Sequence, residues 1–280
     1  MIKVMIDSAA DISREEANKL GITMVPMSIM FGDEEYFDGV DLTANDFYKK
    51  LVECSVLPKT SLVNSARWEE EFEKCVNNGD ELIVITISSK LSGTYRSAVE
   101  ASEKFNGKVK VVDSLNATTG EKLLCLYAID LIKKGNNINE IIALLEEKKT
   151  KLKVMAVVGT LEYLKKGGRI SSAAAFAGEL MSIKPIVGIV DGEVKVLGKA
   201  MGVKKGQLLL NKIVQQTKGI DFSLPYGVLW SGIETDGLEK YIKDSATLWP
   251  NIYNLARYQF GATIGTHVGP GAVGLAYFEE

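Results

Sequence analysis

Apolar and polar positions along this chain fall into blocks, and the first half keeps a regular beat. KVMID (3–7), TMVPMSIMF (23–31), ELIVITI (81–87) and KVKVVDS (108–114) are apolar runs of strand length. The intervening spacing is helical. Trp68, Phe72, Cys75 and Val76 fall at i, i+4, i+7 and i+8 behind Ser65 as the expected cap, and Thr43 is placed to cap a helix through DFYKKLVEC. Further helices are predicted over 92–105, with Tyr95, Ala98, Val99 and Phe105 toward the core, and over 117–134. Unbroken apolar strands joined by helices predict a parallel sheet covered on both faces. Ligands of such sheets sit beyond the carboxyl ends of the strands. The polar stretches DSAAD, TISSKLSGT and DSLNATTG each follow a predicted strand, and KTSLVNS precedes a capped helix. All four are expected to gather on one edge of the sheet.

The second half has another rhythm. A strand is predicted around 152–160, followed by an amphipathic helix in TLEYLKKGGRIS that ends at Gly167 and Gly168. SSAAAFAGELM reads as an apolar helix, and IKPIVGIVDGEVKVLG as a hairpin turning at Asp191–Gly192. Helices over 204–217 and 237–247, strands at GVLWSG and near 252–259, and a closing glycine-rich loop and strand complete the pattern. The expected architecture is α/β: a parallel-sheet N-terminal domain over 1–154 and an α+β C-terminal domain over 155–280.

Composition narrows the function. The 280 residues suit two domains, and a net charge of −3 offers no basic face for nucleic acid. Cys54, Cys75 and Cys125 lie far apart without metal-ligand spacing and are expected as reduced core thiols. With His267 as the single histidine, a multi-histidine metal site within one chain is excluded. The N-terminus turns acidic at Asp7 before an apolar leader forms, and no apolar run reaches membrane-span length. A cytoplasmic protein without metal or cofactor is expected.

Candidate chemistry concentrates in two places. Seven hydroxyl side chains fall between Thr86 and Ser97. Ser92, Gly93 and Thr94 stand at a predicted helix start, where free N–H groups favour an anion, and Thr60 and Ser61 add donors. So few cations nearby suit one carboxylate better than a phosphate. The plain alternative is that Ser92 caps its helix. The second place is GATIGTHVGPGAVG, read as a loop in which Gly265, Gly269, Gly271 and Gly274 either present His267 to a ligand or hold it structurally. No P-loop, dinucleotide fingerprint or GxSxG elbow is present. Asp7 and Asp11 lack the acid cluster of a metal-assisted phosphatase, and Asp7 is expected to fix its loop through backbone hydrogen bonds.

DSAAD, TS at 60–61, ISSKLSGTYRSA, VVDSLNATTG, TLEYLKKGGRIS, IKPI and IGTHVGPGAVG occur in this order along nearly the whole chain. Together they resemble the DegV family. The resemblance implies a non-enzymatic, two-domain carrier enclosing one long-chain fatty acid, such as palmitate, stearate or oleate, in an apolar tunnel between or within the domains. It implies that a separate ATP-dependent fatty acid kinase phosphorylates the presented carboxylate for phospholipid synthesis, and it allows transient membrane contact. Carried over by motif, Thr60 and Ser92 hold the carboxylate, with Ser61, Gly93, Thr94 and His267 around it. Arg169 faces the partner or braces the mouth. Met24, Met27, Ile29, Phe31, Phe176, Leu180, Met181 and Ile183 are the candidate tunnel lining. Leu62 and Val63 replace polar and proline positions of many relatives, and Met201 and Val203 replace two arginines associated with the kinase step. Two other readings stand beside this one: a serine-dependent hydrolase or acyltransferase using Ser92 and His267, and a lipid-responsive sensor without kinase coupling.

Overall fold

The computed structural model describes residues 1–170 and 182–280. The chain begins with β1 (Ile2–Asp7), α1 (Arg14–Leu20), β2 (Thr23–Val25), β3 (Ser28–Phe31), β4 (Glu34–Phe37), α2 (Ala44–Glu53) and β5 (Lys59–Ser61). It continues through α3 (Ser65–Val76), β6 (Glu81–Thr86), α4 (Thr94–Ser102), β7 (Val109–Asp113), α5 (Thr118–Lys133) and α6 (Ile138–Lys148). A parallel sheet in the order β2-β1-β6-β7 forms as expected. Residues 82–88 are buried without alternation, which requires cover on both faces. Helices α3 and α4 pack together against β6, and α5 and α6 pack together against it as well.

The run 23–31 is not one strand. Pro26 has no N–H for a ladder, and the chain divides there. β2 joins the parallel sheet, while β3 becomes the centre of a small antiparallel sheet, β4-β3-β5. Two caps also differ from expectation. Asn64, not Ser65, caps α3 by accepting from the Arg67 N–H at 2.9 Å. Helix α4 starts at Thr94 rather than at residue 92, so Ser92 precedes the helix and Gly93 takes the cap position. Thr43 caps α2 as expected, accepting from Asp46 N–H at 3.2 Å.

The second sheet starts at β8 (Leu152–Val157), followed by α7 (Glu162–Lys166), β9 (Ile183–Val190), β10 (Glu193–Met201) and α8 (Val203–Gln215). The chain ends with β11 (Gly227–Trp230), α9 (Asp236–Asp244), β12 (Arg257–Gln259), α10 (Ala262–Val268) and β13 (Val273–Phe278). Six strands pair in the order β10-β9-β8-β13-β11-β12, antiparallel except for β11 with β12. The strand expected near 252–259 is confined to the three residues of β12. The hairpin turns where expected, with Asp191 and Gly192 at φ 51° and 83°, the two positive values that a tight two-residue turn demands.

The glycine-rich segment 261–274 is not simply a loop. Its first half is the helix α10, and Gly265 lies within it. A Cβ there would sit 2.6 Å from the Phe47 ring and 2.8 Å from the Tyr48 hydroxyl, so glycine serves close packing rather than loop conformation. The two sheets share one apolar core: Val4, Ile85 and Leu124 cluster with Val154, Ala156 and Phe278. Cys125 is buried in that core, whereas Cys54 and Cys75 are only partly buried, and all three are free thiols. The helix expected over SSAAAFAGELM, with Phe176, Leu180 and Met181, lies outside the described residues.

Candidate functional site

A cavity of about 450 Å³ lies between the parallel sheet's carboxyl edge, the six-stranded sheet and α10. Strands β8 to β10 give it an apolar wall through Val154, Ala156, Val187, Ile189 and Val194. Of the described residues expected to line a tunnel, Met27 does so. Ile29 and Phe31 instead pack with Phe47 in a separate cluster beneath the small sheet, and Met24 and Ile183 are not among the lining residues.

The hydroxyl-rich loop sorts itself by task. Ser88 is fully buried and donates to the Gly192 carbonyl at 2.7 Å, docking the hairpin turn on the parallel sheet. Thr94 and Ser97 clamp the neighbouring loop: Thr94 Oγ1 accepts from Val63 N–H at 3.4 Å, and Ser97 Oγ donates to the Val63 carbonyl at 2.5 Å. Ser89 is exposed. Ser92 lines the cavity, its Oγ 2.9 Å from Thr94 Oγ1. Thr94 therefore stands behind Ser92 and not among the lining residues. Ser61 and Gly93 are exposed residues at the rim.

Thr60 and His267 complete the polar end. Thr60 reaches in from β5, where it pairs with Ile29 of β3. Its Oγ1 lies 3.0 Å from His267 Nε2 on α10. Burial, assisted by the Arg169 charge, pushes the imidazole down to about 4, so the ring is neutral at neutral pH. The other ring nitrogen, Nδ1, packs against Gly167, where a Cβ would lie 2.1 Å away. Arg169 is the only charged side chain lining the cavity among the described residues. It is held at the mouth by donating from Nε to the Leu91 carbonyl at 3.2 Å and from a terminal nitrogen to the Gly167 carbonyl. Outside the mouth a groove of about 590 Å³ shares Thr60, Arg169 and His267 with the cavity and adds Lys59 and Lys166.

The structure thus brings Thr60, Ser61, Ser92, Gly93, Arg169 and His267 to one cavity from four separated segments. Sequence reasoning missed Thr118 and Thr263, which also line it. Thr118 sits at φ 54°, a region that β-branched residues seldom enter, and its hydroxyl donates to Asp11. Asp7 does what was expected: its oxygens accept from Ala9 N–H at 2.9 Å and Ile87 N–H at 2.8 Å, joining the loops after β1 and β6. Burial raises its carboxyl to about 7 despite these bonds. Among the described residues no group of acids, cysteines and histidine is placed to hold a metal, and no helix is long and apolar enough to cross a membrane.

Fold and site together define a class, the mixed α/β proteins in which a parallel sheet and a second, largely antiparallel sheet enclose an apolar cavity. The chain belongs to the DegV family, whose members are described as uncharacterised and whose pattern matches residues 1–280. It is 35% identical over 282 aligned positions to a DegV domain-containing protein of Caldanaerobacter subterraneus subsp. tengcongensis, covering 100% of this chain and 99% of the relative. A Thermus thermophilus DegV family protein reported for fatty acid binding superposes with a TM-score of 0.89 at 29% identity, covering 100% and 99% of the two chains. A stearic acid-binding protein of Eubacterium ventriosum superposes with a TM-score of 0.85 at 27% identity, covering 100% and 98%.

Proposed function

We propose that this protein binds one long-chain fatty acid, of the palmitate, stearate or oleate class, and presents its carboxylate at the mouth to a separate ATP-dependent kinase. The observation that carries the reading is an apolar cavity of about 450 Å³ whose polar end is made by Thr60, Ser92 and a neutral His267. Burying about 14 methylenes at about 0.8 kcal/mol each favours binding by roughly 11 kcal/mol, before the costs of association. The head group then needs orientation more than charge. An unpaired buried N–H is rarer than an unpaired acceptor, which favours the tautomer with the proton on Nε2. That N–H donates to Thr60 Oγ1, and the Thr60 hydroxyl hydrogen is left to donate to a carboxylate.

The outer groove supports the kinase step. Lys59 and Arg169 line it with positive charge beside the head group, suited to a phosphoryl donor, while Lys166 is paired with Glu162 at 2.6 Å. Met201 and Val203, which stand where the resemblance has arginines associated with the kinase step, are exposed; the loss of those arginines counts against kinase docking and favours the lipid-responsive sensor as the second reading. The hydrolase alternative gains no support from the geometry. Ser92 Oγ pairs with Thr94 and the imidazole with Thr60, so no nucleophile–base hydrogen bond is formed. Mass spectrometry of a denaturing extract tests the binding claim: stoichiometric fatty acid, or uptake of added palmitate, is expected, and neither appearing overturns it. Conversion of the bound acid to an acyl phosphate by a fatty acid kinase and ATP tests the second claim.

A further inference from the structure

The small sheet grips α10 at both ends. At the C-terminal end, Thr60 on β5 meets His267 at 3.0 Å. At the N-terminal end, Asp38, directly after β4, accepts from the N–H groups of Ala262 at 3.2 Å and Thr263 at 3.1 Å. Both strands pair with β3, so the two contacts hang from one frame. Asp11, on the loop after β1, accepts from a third N–H of this turn, that of Gly261, at 2.8 Å. The two carboxylates converge: a Cβ on Gly261 would lie 3.0 Å from Asp11 Oδ1 and 3.5 Å from Asp38 Oδ1.

Asp38 is buried and Asp11 half-buried; desolvation pushes both carboxyls up, Asp11 to about 8, where the Asp38 charge adds to the rise and Lys122 opposes it. A single Asn or Ser is the ordinary way to cap a helix without that cost. The costly arrangement stands at the helix that carries His267. That helix spans about 10 Å at 1.5 Å per residue, its residues 262–266 are buried, and Gly265 is wedged against Phe47 and Tyr48. Displacement of its first turn is therefore transmitted to its last.

We infer that Asp11 and Asp38 are positioning residues for the head-group site: together they fix the start of α10 and thereby set the His267 ring against Thr60. The inference rests on the head-group reading above.

His267 is the only histidine, so imidazole NMR of untagged protein observes this ring alone. Asp11→Asn, Asp38→Asn and Gly261→Ala are compared with the wild type. The last keeps both acids, has an ordinary φ of −70°, and inserts a methyl between the carboxylates. Each variant is expected to shift the imidazole titration upward from the wild-type value. Each is also expected to lose about tenfold of the preference for palmitate over hexadecanol. Trp68→Phe, in the α3 core, shows what destabilisation alone does and is expected to lower Tm with the imidazole signature intact. Variants that fold with unchanged titration and unchanged preference overturn the inference. If the aspartate variants do not fold, Gly261→Ala decides it. A wild type that fails to distinguish palmitate from hexadecanol refutes the head-group reading, and the imidazole shift still decides the positioning role.

Discussion

Thr60 Oγ1 and His267 Nε2 meet at 3.0 Å across 207 positions of sequence. The contact joins the small sheet to a helix near the end of the chain and closes the polar end of a mainly apolar cavity. A hydroxyl and a neutral ring, rather than an ion pair, finish the site, which avoids the desolvation cost of a buried charge.

Removing either hydroxyl tests the head-group assignment. A hydrogen bond to a charged group contributes about 1.5–3 kcal/mol, so Thr60→Val and Ser92→Ala are each expected to weaken palmitate binding by roughly 10- to 100-fold. Calorimetric titration reads this directly. Affinity unchanged in both variants places the carboxylate elsewhere.

Adjacent glycines should behave differently. A Cβ at Gly167 would lie 2.1 Å from His267 Nδ1, whereas Gly168 has nothing within 4 Å of that position and a φ of +70°. Gly167→Ala is expected to displace the imidazole and reduce fatty acid affinity. Gly168→Ala is expected to lower stability by about 1 kcal/mol through backbone strain alone, with binding intact. Urea melts and binding isotherms on the pair separate the two effects.

Stability should depend on pH with opposing contributions. His267 is held at about 4, below its ordinary 6.5, so the unfolded chain takes up the proton first as pH falls. Its contribution is complete above 6.5 and is lost on descending to about 4, and His267→Gln should remove that acid-side slope. Asp7, raised from 3.8 to about 7, works the other way: its contribution is complete below 3.8 and is lost as pH rises through about 7. The stability gap between the wild type and Asp7→Asn should narrow over that interval. Denaturant midpoints from pH 4 to 8 check both signs.

Filling the cavity should shorten the acceptable chain. Val187 lies in the apolar wall on β9, and Val187→Phe adds a ring to that space. Binding of 18-carbon acids is expected to fall about tenfold more than binding of 10-carbon acids, since each excluded methylene forfeits about 0.8 kcal/mol. Equal losses for both lengths would show that the tail does not pass Val187.

Much of this was legible in the residues. The unbroken apolar run before Ser88 announced a strand covered on both faces, and Asp191–Gly192 announced its turn. Local patterning also placed Thr60 and Ser92 on neighbouring polar stretches. Helix α10 was hidden for a physical reason. Gly265 looks like a loop residue unless Phe47 and Tyr48 are known to press on it, and the helix is capped by Asp11 and Asp38, 250 and 224 positions away from their partners. Asn64 and Ser65 are both competent caps in tandem, and only the tertiary path of the loop selects the first. The strained backbone at Thr118 leaves no trace in the order of letters.

Donors without fixed charge grip a carboxylate about twice as strongly as a neutral oxygen, yet they still bond the neutral one. Thr60 and Ser92, if they hold the head group as proposed, would still offer their hydroxyls to an acid or a mixed anhydride, and Arg169 stands only at the mouth. On the proposed function, the tail's burial against the apolar wall does not depend on the state of the head group, so chemistry there would alter the guest without by itself releasing it.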